Sequence, residues 1–184
     1  MNTSSNLILD KSLRINIRCF PLFSHRILLW AIVISGFLFP ISNHALSVNA
    51  PFPDLASFNL EGTIPDLKGK VVLLDFFASW CAPCKASFPV MQELHKEFGS
   101  KGLVVVAVNL DDKKEEMQRF LKKHPSDFII VRDATKKLVS TINIATLPSS
   151  FILDREGRVH SIHNGFKGNE TKRKYTEEIT ALLK

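Results

Sequence analysis

Apolar runs alternate with amphipathic segments along most of the chain, and this alternation predicts the order of strands and helices. Two apolar runs, Val71–Phe77 and Leu103–Leu110, predict buried strands, and the second is rich in β-branched valine. Between them, Cys84–Phe98 carries apolar residues that recur on one helical face. The pattern therefore predicts a strand–helix–strand unit in this part of the chain.

The second half of the chain continues with shorter elements. A charged amphipathic segment predicts a helix that is capped by Asp111-Asp112 and ends before Pro125. The later segments predict, in chain order, a strand at 128–131, a short helix at 134–141, two strands at 149–153 and 158–163 joined by a Gly-containing turn, and a helix at 170–183. This order predicts an α/β fold with a central mixed β-sheet flanked by helices.

The first fifty residues differ from the rest of the chain. No residue is charged from Ile27 to Phe39, and basic residues dominate the segment before this run. This layout is typical of an export signal, with small residues at Ala45 and Ala50 as cleavage positions. An uncleaved inner-membrane anchor at residues 27–41 is an equally open alternative, although its 15 residues are short of the roughly 20 that span a bilayer.

With residues 1–50 assigned to this signal or anchor, residues 51–184 form the predicted domain, entered through a linker at Pro51–Pro53. The chain has 184 residues, 45% of them hydrophobic and 23% charged, which suits one globular domain with an extension. Its net charge of +6 falls to +3 in the domain, because the first fifty residues hold four Lys or Arg and one Asp. This mild excess, without an aromatic-basic motif, predicts no nucleic-acid partner.

Two cysteines lie at the predicted junction between the first strand and the first helix, in the sequence Trp80-Cys81-Ala82-Pro83-Cys84. Unpaired N–H groups and the macrodipole at a helix N-terminus favour a thiolate. Cys81, at the helix start, is therefore the predicted nucleophile toward a substrate disulfide, and Cys84, one turn further in, is the predicted resolving thiol. Pro83 suits the first helical turn, where its missing donor would be unpaired anyway.

Other uses of the cysteine pair are less well supported by the sequence. A scaffold stabilised by disulfides would need more cysteines, dispersed along the chain. A zinc site would need a second pair of ligands, and the one candidate, His160 with His163, alternates on a predicted strand where surface histidines are ordinary. We therefore expect no metal site and no cofactor.

Asp75 interrupts the first apolar strand six residues before Cys81. A buried carboxylate is costly unless it has a partner or a task, and burial raises its pKa toward neutrality. We predict that Asp75 accepts the proton of Cys84 through a water molecule as that thiol attacks. The alternative is an Asp that is partly exposed or on an edge strand, satisfied by a neighbouring backbone group.

Two segments of the chain resemble a known family. Phe76–Lys85, with Pro89 after it, is similar to the active-site segment of the thioredoxin superfamily, and Thr146–Asp154 is similar to the loop and strand that carry its cis-proline. The resemblance covers Phe52–Lys184 and points to the exported thiol–disulfide oxidoreductases related to TlpA and ResA. It implies a thioredoxin-like fold with an inserted helix-containing segment at residues 111–128.

The resemblance also implies a substrate-binding surface around the cysteine pair. Trp80, Ala82 and Pro83 would contact the substrate. Pro148 would be cis and stack against the pair, and Leu147 would offer its backbone to an extended substrate peptide. The implied substrates are proteins with disulfides in the periplasm, and a membrane electron donor would restore the dithiol.

Departures from the family pattern favour a general protein-disulfide reductase. Relatives in the ResA group carry Glu where this chain has Ser87, and many TlpA-like proteins carry Asn where it has Asp75. The Ala82-Pro83 dipeptide is nearer to the Gly-Pro of reducing thioredoxins than to the His-containing dipeptide of strong oxidants. A role dedicated to cytochrome maturation is therefore disfavoured. A disulfide-forming oxidant and a non-enzymatic copper-binding or partner-binding module are the alternatives.

Overall fold

A computed structural model describes residues 46–184, which are arranged around a five-stranded sheet. The strands are β1 (Val71–Phe77), β2 (Leu103–Asn109), β3 (Ile129–Arg132), β4 (Ser149–Leu153) and β5 (Val159–Asn164). The helices are α1 (Ala82–Phe98), α2 (Lys114–Lys123), α3 (Lys137–Ile142) and α4 (Asn169–Leu183), with short 3-10 helices at Leu55–Phe58 and Gly99–Lys101. The sheet order is β3-β2-β1-β4-β5, with β1, β2 and β3 parallel and β4 and β5 in antiparallel pairings. The predicted α/β fold with a mixed sheet is confirmed.

The central strand β1 is buried on both faces. Because side chains alternate along a strand, its odd-numbered residues face one side of the sheet and its even-numbered residues the other. The odd-numbered apolar residues pack with α1 and α4, and the even-numbered residues pack with α3 and the first 3-10 helix. Asp75 is odd-numbered, so its carboxyl lies on the side of the sheet that α1 and α4 cover.

Aromatic rings pack the segment that contains α2 against α1. The Phe88 ring of α1 contacts the Phe120 ring of α2 and the Phe128 ring that precedes β3, with centroid distances of 4.8 Å and 5.4 Å. Phe77, at the end of β1, contacts Phe88 at 4.9 Å. The segment predicted as an insertion is therefore joined to the apolar core beside the end of the central strand.

The loop after β2 differs from the prediction. The sequence predicts Asp111-Asp112 as the cap of α2, but α2 begins at Lys114 without a side-chain cap. The buried Asp111 carboxylate instead accepts hydrogen bonds from the Ser79 N–H at 2.9 Å, the Ser79 hydroxyl at 3.1 Å and the Asn109 amide at 2.9 Å. The cap prediction is wrong because these donors hold the carboxylate away from α2. Their contact ties the loop after β1 to the loop after β2.

The predicted linker at Pro51–Pro53 is also wrong. Pro51 forms an isolated antiparallel β-bridge with Arg158. The Phe52 ring packs edge-on against Phe151, with ring centroids 5.5 Å apart. An apolar ring and a backbone pairing therefore make this segment part of the folded domain.

The predicted signal or anchor at residues 1–50 lies outside the described residues, apart from its last five positions. Its apolar stretch at 27–41 is wholly outside them. Within residues 46–184, no helix combines the length and the apolar character needed to cross a membrane. The domain limits of 1–50 and 51–184 remain predictions.

Replacing Asp111 with Ala should destabilise the oxidised protein by about 1–3 kcal/mol, because it leaves buried donors at Ser79 and Asn109 without their acceptor. The matched control is Asp112→Ala. The Asp112 side chain is 90% exposed and forms an ion pair with Lys136, which should contribute no more than about 1 kcal/mol. Urea denaturation measures both variants, and equal losses of stability would contradict the tether between the two loops.

Candidate active site

The two cysteines lie where the C-terminal end of β1 meets the N-terminal end of α1. Cys81 is the N-cap residue of α1, and it forms a disulfide with Cys84, with an S–S distance of 2.08 Å. The Cys84 N–H donates a hydrogen bond of 3.2 Å to Cys81 Sγ. Cys81 is 5% exposed and Cys84 is fully buried, so the sulfur of Cys81 is the one that a partner reaches.

The position of Cys81 favours a thiolate once the disulfide is reduced. Unpaired N–H groups of the first turn and the positive end of the helix macrodipole attract negative charge, and the Cys84 N–H already points at the Cys81 sulfur. Pro83 lies in the first turn of α1, where a proline removes no helical hydrogen bond. The arrangement therefore suits nucleophilic attack by Cys81, with a second, shielded thiol at Cys84.

A groove beside the cysteine pair brings together most of the residues predicted to contact a substrate. One side of the groove is formed by Trp80, Cys81, Ala82 and Pro83, and the segment 144–147 lies on the other side. The Trp80 residue is 71% exposed, which is far more than is usual for so large an apolar residue. The groove therefore offers an exposed aromatic ring next to the reachable sulfur.

Pro148 follows the groove-lining residue Leu147, and the peptide bond between them is cis, as the family resemblance implies. β4 begins at the next residue, Ser149, which pairs with Phe76 of β1. This pairing places the loop that contains Pro148 at the same end of the sheet as Cys81. The roles of Leu147 and Pro148 in substrate binding remain predictions.

Asp75 is 1% exposed at the centre of the sheet, paired in register with Ala107 of β2 and Ser150 of β4. The Ser150 hydroxyl donates a hydrogen bond of 2.5 Å to Asp75 Oδ1, and Asp75 Oδ2 has no protein partner among residues 46–184. Burial raises the pKa of Asp75 to about 7, although the Ser150 hydrogen bond opposes this effect. The alternative of an exposed or edge Asp bonded to the backbone is wrong.

Ser150, Tyr175 and Asp111 also shape the site, although none of them was predicted to belong to it. The Tyr175 hydroxyl donates a hydrogen bond of 2.7 Å to Ser150 Oγ, and Asp111 holds the backbone of Ser79 just before the cysteine motif. The sequence did contain signals for two of them. Tyr175 is the only tyrosine of the chain, and Ser150 is a polar residue within an apolar strand, like Asp75.

The histidines predicted to lie on the surface differ from one another. His160 is exposed, whereas the His163 side chain is 14% exposed and its Nε2 lies 2.8 Å from Glu178 Oε2. The surface interpretation therefore holds for His160 alone. Within the described part of the chain, no group of three or more His, Cys, Asp or Glu residues is arranged to hold a metal ion.

The sequence is similar to known proteins over most of the described residues. A family model described as Thioredoxin-like matches residues 69–159. A thiol-disulfide oxidoreductase ResA of Bacillus cereus is 30% identical over 138 residues, which cover 73% of this chain and 80% of that protein. ResA of Bacillus subtilis is 36% identical over 118 residues, which cover 61% of this chain and 66% of that protein.

A solved structure has the same fold. The putative thiol:disulfide interchange protein DsbE from Chlorobium tepidum gives a TM-score of 0.71 at 36% identity, over 76% of this chain and 100% of that one. The fold, the cysteine pair at the start of α1 and the sequence similarity all agree. The chain belongs to the thioredoxin-like thiol–disulfide oxidoreductases, the family that includes ResA.

Proposed function

We propose that this protein reduces disulfide bonds in exported proteins, with Cys81 as the nucleophile and Cys84 as the resolving thiol. The observation that carries the proposal is the Cys81–Cys84 disulfide at the N-terminus of α1, beside a groove with an exposed Trp80. One sulfur is reachable from the groove and the other is shielded behind it. This asymmetry gives the two thiols different tasks.

The reaction passes two electrons from the dithiol to the substrate. The Cys81 thiolate attacks one sulfur of the substrate disulfide, a mixed disulfide forms, and the displaced sulfur leaves as a thiolate that takes up a proton. Cys84 then loses its proton and attacks Cys81 Sγ. The Cys81–Cys84 disulfide forms, and the second substrate sulfur leaves as a thiolate that takes up a proton.

Asp75 accepts the proton of Cys84 in the second step. Its carboxyl lies on the same side of β1 as the apolar cluster that contains Cys84. A pKa of about 7 lets it take a proton and return it near neutral pH. A water molecule carries the proton between the thiol and the carboxylate.

The groove binds the substrate chain next to the scissile disulfide. Trp80, Ala82 and Pro83 contact it on one side, and Leu147 offers its backbone on the other, with Pro148 against the cysteine pair. The groove's position beside Cys81 supports this assignment. An extended peptide in such a groove gains affinity from main-chain hydrogen bonds and specificity from alternate side chains.

The protein acts outside the cytoplasm, in the periplasm, and is returned to its dithiol form by a membrane electron donor. The basic flank and apolar run before residue 50 support export, as a cleaved signal or as an inner-membrane anchor at residues 27–41. A reductase in an oxidising compartment needs such a donor, because each turnover leaves the Cys81–Cys84 pair oxidised.

Ser87 supports a broad range of clients over a role dedicated to cytochrome maturation. It occupies the position at which the ResA group carries Glu. Ser87 is buried, and its hydroxyl donates a hydrogen bond of 2.9 Å to the Cys84 carbonyl. No carboxylate therefore takes part at this position of α1.

The reduction potential should lie nearer to the reducing end than to the oxidising end of the superfamily's range of roughly −270 to −120 mV. The residues between the cysteines, Ala82 and Pro83, have no ionisable side chain that would add to the stabilisation of the Cys81 thiolate. Equilibration with glutathione measures the potential. A value below about −200 mV is expected, and a value close to −120 mV would favour the disulfide-forming alternative.

Cys81→Ser should abolish the reduction of insulin disulfides, because it removes the nucleophile. Cys84→Ser should instead accumulate mixed disulfides, because the thiol that resolves them is absent. Electrophoresis without reductant and mass spectrometry identify the trapped partners. The variant that lacks both cysteines is the control, and partners trapped by Cys81→Ser rather than by Cys84→Ser would reverse the assigned order of attack.

Asp75→Asn should remove the dependence of single-turnover reduction on a group that titrates near pH 7. Asn keeps an oxygen that accepts the Ser150 hydrogen bond but cannot accept the Cys84 proton. The rate of mixed-disulfide resolution, followed between about pH 5.5 and pH 9, should fall at least about tenfold on the alkaline side. An unchanged pH profile would contradict the proposed role of Asp75.

The same variant should change how stability depends on pH. The folded-state pKa of Asp75, about 7, is raised above its unfolded value of about 3.9. Its contribution to stability is therefore fully present below about pH 4 and is lost as the pH rises through about 7. Asp75→Asn should be more stable than the wild type at pH 8 by an amount on the order of 2–4 kcal/mol, and this gain should shrink toward pH 4. Urea denaturation of the oxidised proteins measures the difference. A difference that does not change with pH would contradict the raised pKa of Asp75.

A further inference from the structure

Two buried hydroxyl groups connect α4 to the carboxyl of Asp75. The Tyr175 hydroxyl donates a hydrogen bond of 2.7 Å to Ser150 Oγ, and the Ser150 hydroxyl donates one of 2.5 Å to Asp75 Oδ1. None of the three residues is more than 1% exposed. The contacts join β1, β4 and α4. Asp75 and Ser150 are 75 residues apart in the sequence, and Ser150 and Tyr175 are 25 residues apart.

The order of these donors makes the two carboxyl oxygens of Asp75 unequal. A tyrosine hydroxyl and a serine hydroxyl each have one proton to donate. Since Tyr175 donates to Ser150 and Ser150 donates to Oδ1, that oxygen is occupied as an acceptor. Oδ2 has no protein hydrogen-bond partner within residues 46–184. Oδ2 is therefore the more available of the two oxygens for a proton that arrives at Asp75.

We propose that Ser150 and Tyr175 are positioning residues, which hold Asp75 with Oδ2 as the oxygen that takes the proton of Cys84 and which set the pH of this transfer. The proposal rests on the proposed function, in which Asp75 is the proton acceptor, and it adds the oxygen that reacts and the residues that orient it. Neither hydroxyl exchanges a proton with the substrate, because each acts through the carboxyl.

The two hydroxyls act on Asp75 in a defined direction. The Ser150 hydrogen bond stabilises the carboxylate and lowers the pKa of Asp75 against the larger effect of burial. Tyr175 reinforces it, because a hydroxyl that accepts a hydrogen bond becomes a better donor. Burial, and then the charge of Asp75, raise the pKa of Tyr175, so its hydroxyl keeps its proton while Asp75 titrates.

Other titratable groups face this region from three elements. They are His163 of β5 and Glu178 of α4. Cys84 of α1 and the N-cap residue Cys81 form a disulfide in the oxidised protein and become titratable only when it is reduced. β2 contributes no titratable group opposite Asp75, since its partner there is Ala107. The His163 ring packs edge-on against Tyr175, with ring centroids 4.9 Å apart. A charge on the His163 ring would therefore act on Tyr175 more directly than on Asp75. A test must therefore follow the Asp75 carboxyl directly as well as the activity.

The direct test is a titration of the Asp75 carboxyl by carbon NMR in the full-length oxidised protein, with labelled aspartate and Asp75→Asn to assign its signal. The wild-type midpoint is expected near pH 7. Ser150→Ala should raise it by about one pH unit, and Tyr175→Phe by about half a unit, because hydrogen bonds to charged groups are among the stronger ones in proteins.

The matched control is Ser149→Ala. Ser149 is the neighbouring buried serine of β4, but its hydroxyl donates to the Thr146 carbonyl and contacts Asn164 Oδ1 rather than Asp75. Its removal should leave the carboxyl midpoint of Asp75 in place. A shift as large as that of Ser150→Ala would mean that general loosening of β4, and not the hydroxyl chain, changes the titration.

The pH midpoint of the single-turnover rate should also rise in the two variants, more in Ser150→Ala than in Tyr175→Phe, as the carboxyl midpoint does. In an Asp75→Asn background, Ser150→Ala should cause no further change in the pH profile. If Ser150→Ala fails to fold, Tyr175→Phe decides the test alone, because phenylalanine keeps the packing of the ring.

Two outcomes separate this inference from the proposed function. A carboxyl midpoint that is unmoved in both variants overturns the positioning role, even if Asp75→Asn loses its pH dependence. A rate profile that is the same in Asp75→Asn and in the wild type overturns the role of Asp75 itself, and the positioning proposal falls with it.

Discussion

The backbone N–H of Cys84 donates a hydrogen bond to the sulfur of Cys81, a contact that stabilises a thiolate there once the disulfide is reduced. The turn from β1 into α1 places the Cys84 N–H 3.2 Å from Cys81 Sγ, at the positive end of the helix. The turn is itself held by Asp111, which accepts hydrogen bonds from Ser79. The tether therefore holds the backbone that precedes the cysteine motif without touching the cysteines.

Two buried aspartates near the site differ in the number of hydrogen bonds that their carboxyl groups accept. Asp111 accepts hydrogen bonds from Ser79 and Asn109 on both of its oxygens. Asp75 accepts one hydrogen bond, from Ser150, and its second oxygen has no protein partner among the described residues. Because desolvation then outweighs hydrogen bonding, the pKa of Asp75 rises to about 7, where proton exchange is useful.

Two differences between the predicted and observed elements, at the start of α2 and at Pro51–Pro53, have a common cause. β1 and β4 have the predicted bounds, because a continuous apolar run between turn residues is a local signal. The prediction for the start of α2 is wrong, because the sequence does not distinguish an Asp that caps a helix from an Asp that is buried elsewhere. The hydrogen bond from Ser79 to Asp111 forms only in the folded chain. Pro51–Pro53 was predicted wrongly for the same reason, because its partner Arg158 is remote in the sequence.

The mixed α/β fold, the cysteine pair at a strand-to-helix junction and the unusual Asp75 in a buried strand can all be predicted from the sequence. These follow from periodicity, spacing and residue type, which act over a few neighbouring positions. The folded structure is needed to show that Ser150 and Tyr175 form a hydrogen-bond chain to Asp75 and that Asp111 holds the loop before Cys81. Those contacts depend on the register of β1 against β4 and on the packing of α4. A hydrogen bond requires its two atoms to lie within about 3 Å, and only the folded chain brings such distant residues together.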